Sequence, residues 1–323
     1  MTGAVILAER NSKGFDFAKR IYDLVAKNDG RKFSLTLADI ERTGFKDGEY
    51  KLRVTHNIRQ KHCFFVHDGS KEPSLWVSDL LFTLQAMRSS SPREINVVFP
   101  YFRFARQDRK DASRVGVSAK AVADVVSMYA DRGMTVDLHA PQIQEYFKVP
   151  FDNLESFPVL AQHLHLRHPS FLKDLVVVSP DPGGAKRAEH LQKRFGKMGV
   201  QTDLAICYKR RSKDNEIGEI KLMGDVKEKN CLIVDDIIDT GETFVQACSV
   251  LHNSGARKVM GYGTHGLFSD GDEKFGCFEK IFVSDSFFRE IKSENIERIS
   301  LVELFGEAIY RTYVGESLSV LFD

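Results

Sequence analysis

A chain of 323 residues with 46 basic and 45 acidic side chains, net charge +1, is long enough for about two domains. It has no overall field to attract nucleic acid or an anionic membrane, so any anion binding must be local. The longest apolar run near the N-terminus is Ala4 to Ala8, and nowhere do about 18 apolar residues follow one another. A soluble, cytoplasmic protein with no membrane partner is therefore expected. Five cysteines, at 63, 207, 231, 248 and 277, form no C-x-x-C pair, which fits buried free thiols better than a disulfide framework or zinc site.

Strand-like apolar runs begin at Val5, Phe33, Cys63, Ile95 and Thr135, and again at Leu175, Thr202, Cys231, Lys258 and Lys280. Between them lie helical patterns such as 78–88, with Leu80, Leu81, Leu84 and Met87, and 118–130, with Ala119, Val122, Ala123 and Val126. Alternation of this kind predicts mainly parallel sheets flanked by helices. Two such sets predict two similar α/β domains. The boundary is expected within 151–158, where an asparagine, two acids and a proline interrupt the pattern.

The first chemistry-bearing stretch is 101–114, YFRFARQDRKDASR, in which five cations and two acids follow a strand. Such a run is usually a solvated charged face. Its interleaved aromatics and the Arg106-Gln107 pair suggest instead a nucleotide platform, where a guanidinium meets phosphate or stacks on a base. Next, His139 stands at a strand's carboxyl end. Its residue type argues weakly for metal, since magnesium prefers oxygen ligands. His163, His165 and His168 are explained as well by a helix with one exposed and one inward histidine.

Asp181-Pro-Gly-Gly-Ala-Lys-Arg follows a strand and opens a helix. Gly183 and Gly184 remove side chains where a phosphate chain would approach, and the helix N-terminus adds donors. Lys186 and Arg187 add charge, and Asp181 can hold a phosphate-bridging cation. A plain tight turn is the alternative. Lys209-Arg-Arg-Ser-Lys then places four cations in five residues on a loop. They suit a polyphosphate clamp that stabilises a phosphoryl-transfer transition state, or else a solvated basic loop.

Residues 231–243, CLIVDDIIDTGET, run an apolar strand into the carboxylates Asp235 and Asp236, then into a Thr-Gly-Glu-Thr turn and an amphipathic helix. Neighbouring carboxylates accept hydrogen bonds from vicinal sugar hydroxyls or hold a hard cation. Thr240, Gly241 and Thr243 can cradle a phosphate, while Glu242 is expected to point outward. Two negative findings narrow the choice. No G-x-x-x-x-G-K-[ST] loop exists, and the G-x-G-x-x-G at 261–266 lacks the helix that a dinucleotide site needs.

The segment 234–243 resembles the phosphoribosyl-diphosphate signature of type I phosphoribosyltransferases and of ribose-phosphate diphosphokinases. Adding FKDGE (45–49), ARQDRKDASR (105–114), DLHAPQIQEYF (137–147), SPDPGGAKR (179–187), KRRSKDNE (209–216) and GESLSVLF (315–322), the chain resembles the ribose-phosphate diphosphokinase family along nearly its whole length. The resemblance implies two phosphoribosyltransferase-like, Rossmann-like domains, 1–156 joined by 311–323, and 157–310. It implies transfer of the β,γ-diphosphoryl group of Mg-ATP to the C1 hydroxyl of ribose 5-phosphate, releasing AMP. Lys209 and Arg211 would stabilise the transferring group, and His139 and Asp181 would ligate magnesium. Asp235 and Asp236 would take the ribose hydroxyls, Asp239 to Thr243 the 5-phosphate, and Gly183, Gly184 and Lys186 the diphosphate. Arg106 and Gln107 would meet ATP, with Phe45, Asp47 and Glu49 supplied by a neighbouring subunit of a homo-oligomer. Residues 7–12 and 68–75 depart from the family pattern. A phosphoribosyltransferase consuming phosphoribosyl diphosphate and a non-catalytic regulatory relative of the synthetase are the alternatives.

Overall fold

Strands covered by helices on both faces must be apolar throughout rather than alternating, and the Val-, Ile-, Leu- and Phe-rich runs of this chain form the middle strands of two such sheets. The computed structural model describes residues 3–27, 34–210 and 219–322. It divides the chain into one unit of residues 1–155, 286–288 and 301–323, and another of 156–285 and 289–300.

In the first unit, β1 (Ala4–Glu9) leads to α1 (Lys13–Ala26) and then to the hairpin of β2 (Leu35–Gly44) and β3 (Tyr50–Val54). There follow β4 (His62–Val66), α2 (Pro73–Ser89), β5 (Glu94–Phe99), α3 (Ser118–Tyr129), β6 (Arg132–Val136) and β7 (Phe151–Leu154). The strand order is β3-β2-β1-β4-β5-β6-β7, parallel except for β2 with β3. Trp76, Leu80, Leu84, Phe99 and Val126 lie fully buried in its core.

The second unit repeats the plan. Its elements are α4 (Phe157–Arg167), β8 (Leu175–Ser179), α5 (Ala185–Lys197), β9 (Thr202–Arg210), β10 (Glu219–Met223) and β11 (Asn230–Ile238). After them come α6 (Glu242–Asn253), β12 (Lys258–Gly266), β13 (Lys280–Ser284) and β14 (Ile296–Ile299). The order β10-β9-β8-β11-β12-β13-β14 matches the first sheet strand for strand, and β9 with β10 is again the antiparallel pair.

Register matches as well. Ala4 pairs with Leu35 on one side and His62 on the other, as Leu175 pairs with Thr202 and Asn230. His62 faces Glu94 and Asn96 faces Arg132, as Asn230 faces Lys258 and Met260 faces Lys280. Counting along equivalent strands, His67 and Asp68 stand where the other unit has Asp235 and Asp236.

Several elements differ from the sequence expectation. Helix α2 starts at Pro73, because Pro fits the first helical position and Glu72 caps it, its carboxylate accepting from the Ser74 and Leu75 N–H groups at 2.9 and 3.1 Å. Residues 151–154, expected in the boundary, form edge strand β7. Residues 286–288 group with the first unit, and the final return to it begins at Leu301, where 311 was expected. There α7 (Val302–Val314) buries Phe305 against Phe17 of α1, with ring centroids 5.6 Å apart. All five cysteines are free, and Cys207, Cys231 and Cys248 share one core. Among the described residues no helix is long and apolar enough to cross a membrane.

Candidate active site

In both sheets the strand order reverses beside the first central strand, between β1 and β4 and between β8 and β11. Open α/β sheets bind ligands at the carboxyl ends of strands flanking such a reversal. In the second unit both strands there run into helices that begin on glycine. Helix α5 has Gly184 as its N-cap and α6 has Gly241, and neither receives a side-chain capping bond. The first N–H groups of each helix have no intrahelical acceptor and suit an anion.

Neither glycine is replaceable by a larger residue without displacement. A Cβ on Gly184 would lie 2.8 Å from Ser179 Oγ. Ser179 Oγ donates to the Asp181 carbonyl at 2.6 Å and Asp181 Oδ1 accepts from the Gly184 N–H at 2.9 Å, which fixes the turn. Gly241 sits at φ +80°, and a Cβ there would overlap the Phe275 ring. Asp239 Oδ1 accepts from Ser269 Oγ, and the Ser269 N–H donates to the Asp239 carbonyl at 3.2 Å. Thr240 and Thr243 are half-buried and Glu242 is exposed, in line with an outward side chain.

Between these turns lies the acid pair. Arg187 Nη1 reaches Asp235 Oδ1 at 2.6 Å and Nη2 reaches Asp236 Oδ1 at 3.1 Å. Asp235 Oδ1 also accepts the Asp236 N–H at 2.9 Å. The Asp236 side chain is only 4% exposed. Burial, and then the neighbouring Asp236 carboxylate, lift Asp235 well above the usual carboxylate range, while Arg187 pulls it back. One guanidinium thus serves two carboxylates.

Arg187 is the residue that sequence reasoning undervalued. It was read with Lys186 as loop charge, yet Lys186 is exposed and Arg187 does the bridging. The available signal was its position, third after the Gly184 cap, because helical side chains lean toward the N-terminus.

The remaining expected residues fall as follows. Phe45, Asp47 and Glu49 are exposed on the β2–β3 turn, which is closed by Phe45 N–H to the Glu49 carbonyl at 2.7 Å and Glu49 N–H to Asp47 Oδ1 at 3.0 Å. Arg106 is exposed and Gln107 half-buried on the loop after β5, and His139 is exposed on the loop after β6. These two loops are joined through Asp108, which accepts from Gln142 Nε2 at 3.1 Å and, through its carbonyl, from the Tyr146 hydroxyl. The expected aromatic platform is not formed. Tyr101 and Phe102 are buried, and Phe104 packs on Trp76 with ring centroids 6.0 Å apart. The apolar area of Tyr101 and Phe102 goes to the core, Arg103 Nε donates to the Gly69 carbonyl at 2.7 Å, and Arg106, Arg109 and Lys110 are exposed. Lys209 pairs with Ile220 in the β9–β10 ladder, but its side chain and the whole of Arg211 lie outside the described residues. The rejected glycine pattern is confirmed as a decoy, since Gly261, Gly263 and Gly266 all lie within β12.

Doubled, doubly wound and glycine-capped at one switch point, the chain is an α/β protein of phosphoribosyltransferase-like fold. Comparison with known proteins narrows this. Residues 10–129 match the N-terminal domain of ribose phosphate pyrophosphokinase, and residues 199–323 match the phosphoribosyl synthetase-associated domain. The ribose-phosphate pyrophosphokinase of Thermotoga maritima is 38% identical over 293 residues, covering 90% of this chain and 91% of that protein. That of Chlorobaculum tepidum is 40% identical over 304 residues, covering 93% and 92%. The crystal structure of phosphoribosylpyrophosphate synthetase from Mycobacterium smegmatis superposes with a TM-score of 0.83 at 26% identity, covering 97% of this chain and 100% of that one. The chain belongs to the ribose-phosphate pyrophosphokinase family and is an enzyme.

Proposed function

We propose that the enzyme makes 5-phosphoribosyl 1-diphosphate by moving the β,γ-diphosphoryl group of Mg-ATP to the C1 hydroxyl of ribose 5-phosphate. The anomeric oxygen attacks the β-phosphorus, the bond from that phosphorus to the α-bridging oxygen breaks, and AMP leaves. The hydroxyl proton passes to solvent water. The observation that carries this reading is the pair of glycine-capped helix starts flanking an arginine-bridged acid pair.

Each part has a chemical task. Asp235 and Asp236 accept hydrogen bonds from ribose hydroxyls, and Arg187 keeps them aligned. Asp239 to Thr243 receive the 5-phosphate through backbone N–H groups and the threonine hydroxyls. Gly183, Gly184 and Lys186 admit the diphosphate. Lys209 and Arg211 neutralise charge as the phosphoryl group moves, which together with in-line positioning is most of what this chemistry requires. Arg106 and Gln107 contact ATP, as do Phe45, Asp47 and Glu49 from a neighbouring subunit of a homo-oligomer.

Of the donors assigned to magnesium, Asp181 offers the oxygen ligand that this ion prefers. Asp181 is exposed and spends Oδ1 on the Gly184 N–H, so its carboxylate is fixed by the turn while remaining open to a hard cation. Asp181 would hold the ion. When bound, it would screen the phosphate oxygens and favour charge build-up on them.

Ribose 5-phosphate and ATP labelled at the β-phosphorus test the reading. Label should pass to the sugar product with equimolar AMP. Absence of transfer, with consumption of phosphoribosyl diphosphate when a nucleobase is added, points to a phosphoribosyltransferase instead.

A further inference from the structure

We propose that His163, His168 and Glu297 form a binding site for one divalent transition-metal ion of the zinc or cobalt type. One ligand atom from each lies within 4.8 Å of the other two. His163 is on α4, His168 is the residue that ends it, and Glu297 is on edge strand β14, so an ion here clips the helix end to the sheet margin.

The site is held before any ion arrives. Both imidazoles pack edge-on against the buried Phe282, with ring centroids at 5.5 and 5.2 Å. Phe282 is the residue paired with Glu297 in the β13–β14 ladder. The His168 backbone is fixed on both sides, its N–H donating to the Leu164 carbonyl at 2.8 Å and its own carbonyl accepting from the Phe171 N–H at 3.0 Å. Lys280 Nζ takes Glu297 Oε2 at 3.2 Å, which orients the carboxylate and leaves Oε1 toward His163. Metal-bound carboxylates are commonly steadied in this way by a second hydrogen bond.

One observation asks for an occupant. His163 Nε2 is buried, and Glu297 Oε1 lies 3.0 Å from it with no well-formed hydrogen bond between them. A cation between Nε2 and Oε1 satisfies both. Ligands about 2.1 Å from a tetrahedral ion stand about 3.4 Å apart, so the cluster must close by roughly an ångström. Two imidazoles and one carboxylate favour zinc, cobalt or nickel over magnesium. The site is three strands, roughly 14 Å at ordinary strand spacing, from the acid-pair strand β11, so it is separate from the proposed chemistry.

The test uses the full chain, stripped with a chelator, titrated with cobalt(II) and then with competing zinc. One equivalent should bind with the weak visible bands of nitrogen and oxygen ligation. Saturating zinc should raise the melting temperature by about 5 °C. The double variant His163→Gln/His168→Gln should lose both effects, and Glu297→Gln should bind at least tenfold more weakly, while turnover with Mg-ATP stays unchanged and shows that both are folded. Binding that is equal in wild type and double variant overturns the proposal. So do an intense near-ultraviolet band from thiolate ligation and the absence of any cobalt spectrum in the wild type.

Discussion

The two halves of this chain share strand order and ladder register, yet their switch points are finished in opposite ways. In the first unit the helix starts are closed by their own side chains. Ser12 Oγ accepts from the Phe15 N–H at 3.1 Å, Asp68 Oδ2 from the Gly14 N–H at 3.2 Å, and Glu72 caps α2. Arg42 and Lys71 are both held between Glu9 and Asp79, and the Tyr50 hydroxyl donates to Asp79 at 2.7 Å. Where the second unit has Asp235, the first has buried His67, pushed down to about 3 mainly by burial and hence neutral. In the second unit the helix starts are glycine, and Arg187 bridges the acids. The fold supplies a crevice twice. Whether its donors are already satisfied decides which copy has anything left for a ligand.

The hardest way to break the contrast is to close the open half. Gly241→Ala places a side chain at positive φ against Phe275. It should cost about 2–4 kcal/mol of stability and lower kcat/KM for ribose 5-phosphate by roughly 100-fold or more, read from melts and initial rates. Arg187→Met should raise KM for ribose 5-phosphate by about 10- to 100-fold. Because Arg187 opposes the upward shift of Asp235, the acid limb of kcat/KM should also move to higher pH in this variant. An unshifted limb would mean that the guanidinium does not govern the pair.

Asp79→Asn attacks the closed half. The Asp79 side chain is 1% exposed and serves two cations. Its loss should cost about 3 kcal/mol and lower the melting temperature by roughly 5–10 °C, with KM for ribose 5-phosphate within about twofold of wild type. A large rise in that KM would show that the first crevice takes part in binding the sugar. Asp235→Asn should produce a smaller shift of opposite sign. A folded-state value raised above the unfolded one gives stability that is present below about pH 4 and lost as pH rises through the folded value. The variant should therefore melt higher than wild type at pH 8, the gap shrinking toward pH 4, with activity lost. Least of all, Ser12→Ala should remove about 1 kcal/mol of capping and leave turnover unchanged.

Much of this was legible in the sequence because it rests on local pattern. The central strands are uninterrupted apolar runs, and the acid-pair strand carries its turn and helix beside it. Edge strands β7 and β14 were not legible. FDNL and IERI are four residues long, and each is interrupted by polar side chains, so no period stands out. The aromatics of 101–104 were misread because alternation of rings with cations looks the same whether the rings face a ligand or the core. The Arg187 bridge needed a direction in space as well as a charge. The closed state of the first crevice depends on Glu9, Arg42, Lys71 and Asp79, which are remote in sequence and individually ordinary. Two of the segments that meet there, 7–12 and 68–75, are those that depart from the family pattern.

Both sheets also end in an antiparallel hairpin on the same margin, β2–β3 and β9–β10. The first connection is a short fixed turn over 45–49, with Gly48 at φ +92°. The second connection is 211–218, which with Lys209 and Arg210 before it carries the four-cation run. Under the proposed assignment one hairpin serves its own chain's chemistry and the other serves a neighbour's nucleotide. Turnover per chain would then depend on protein concentration, falling on dilution before any loss of folded structure and returning when the chains are brought together again.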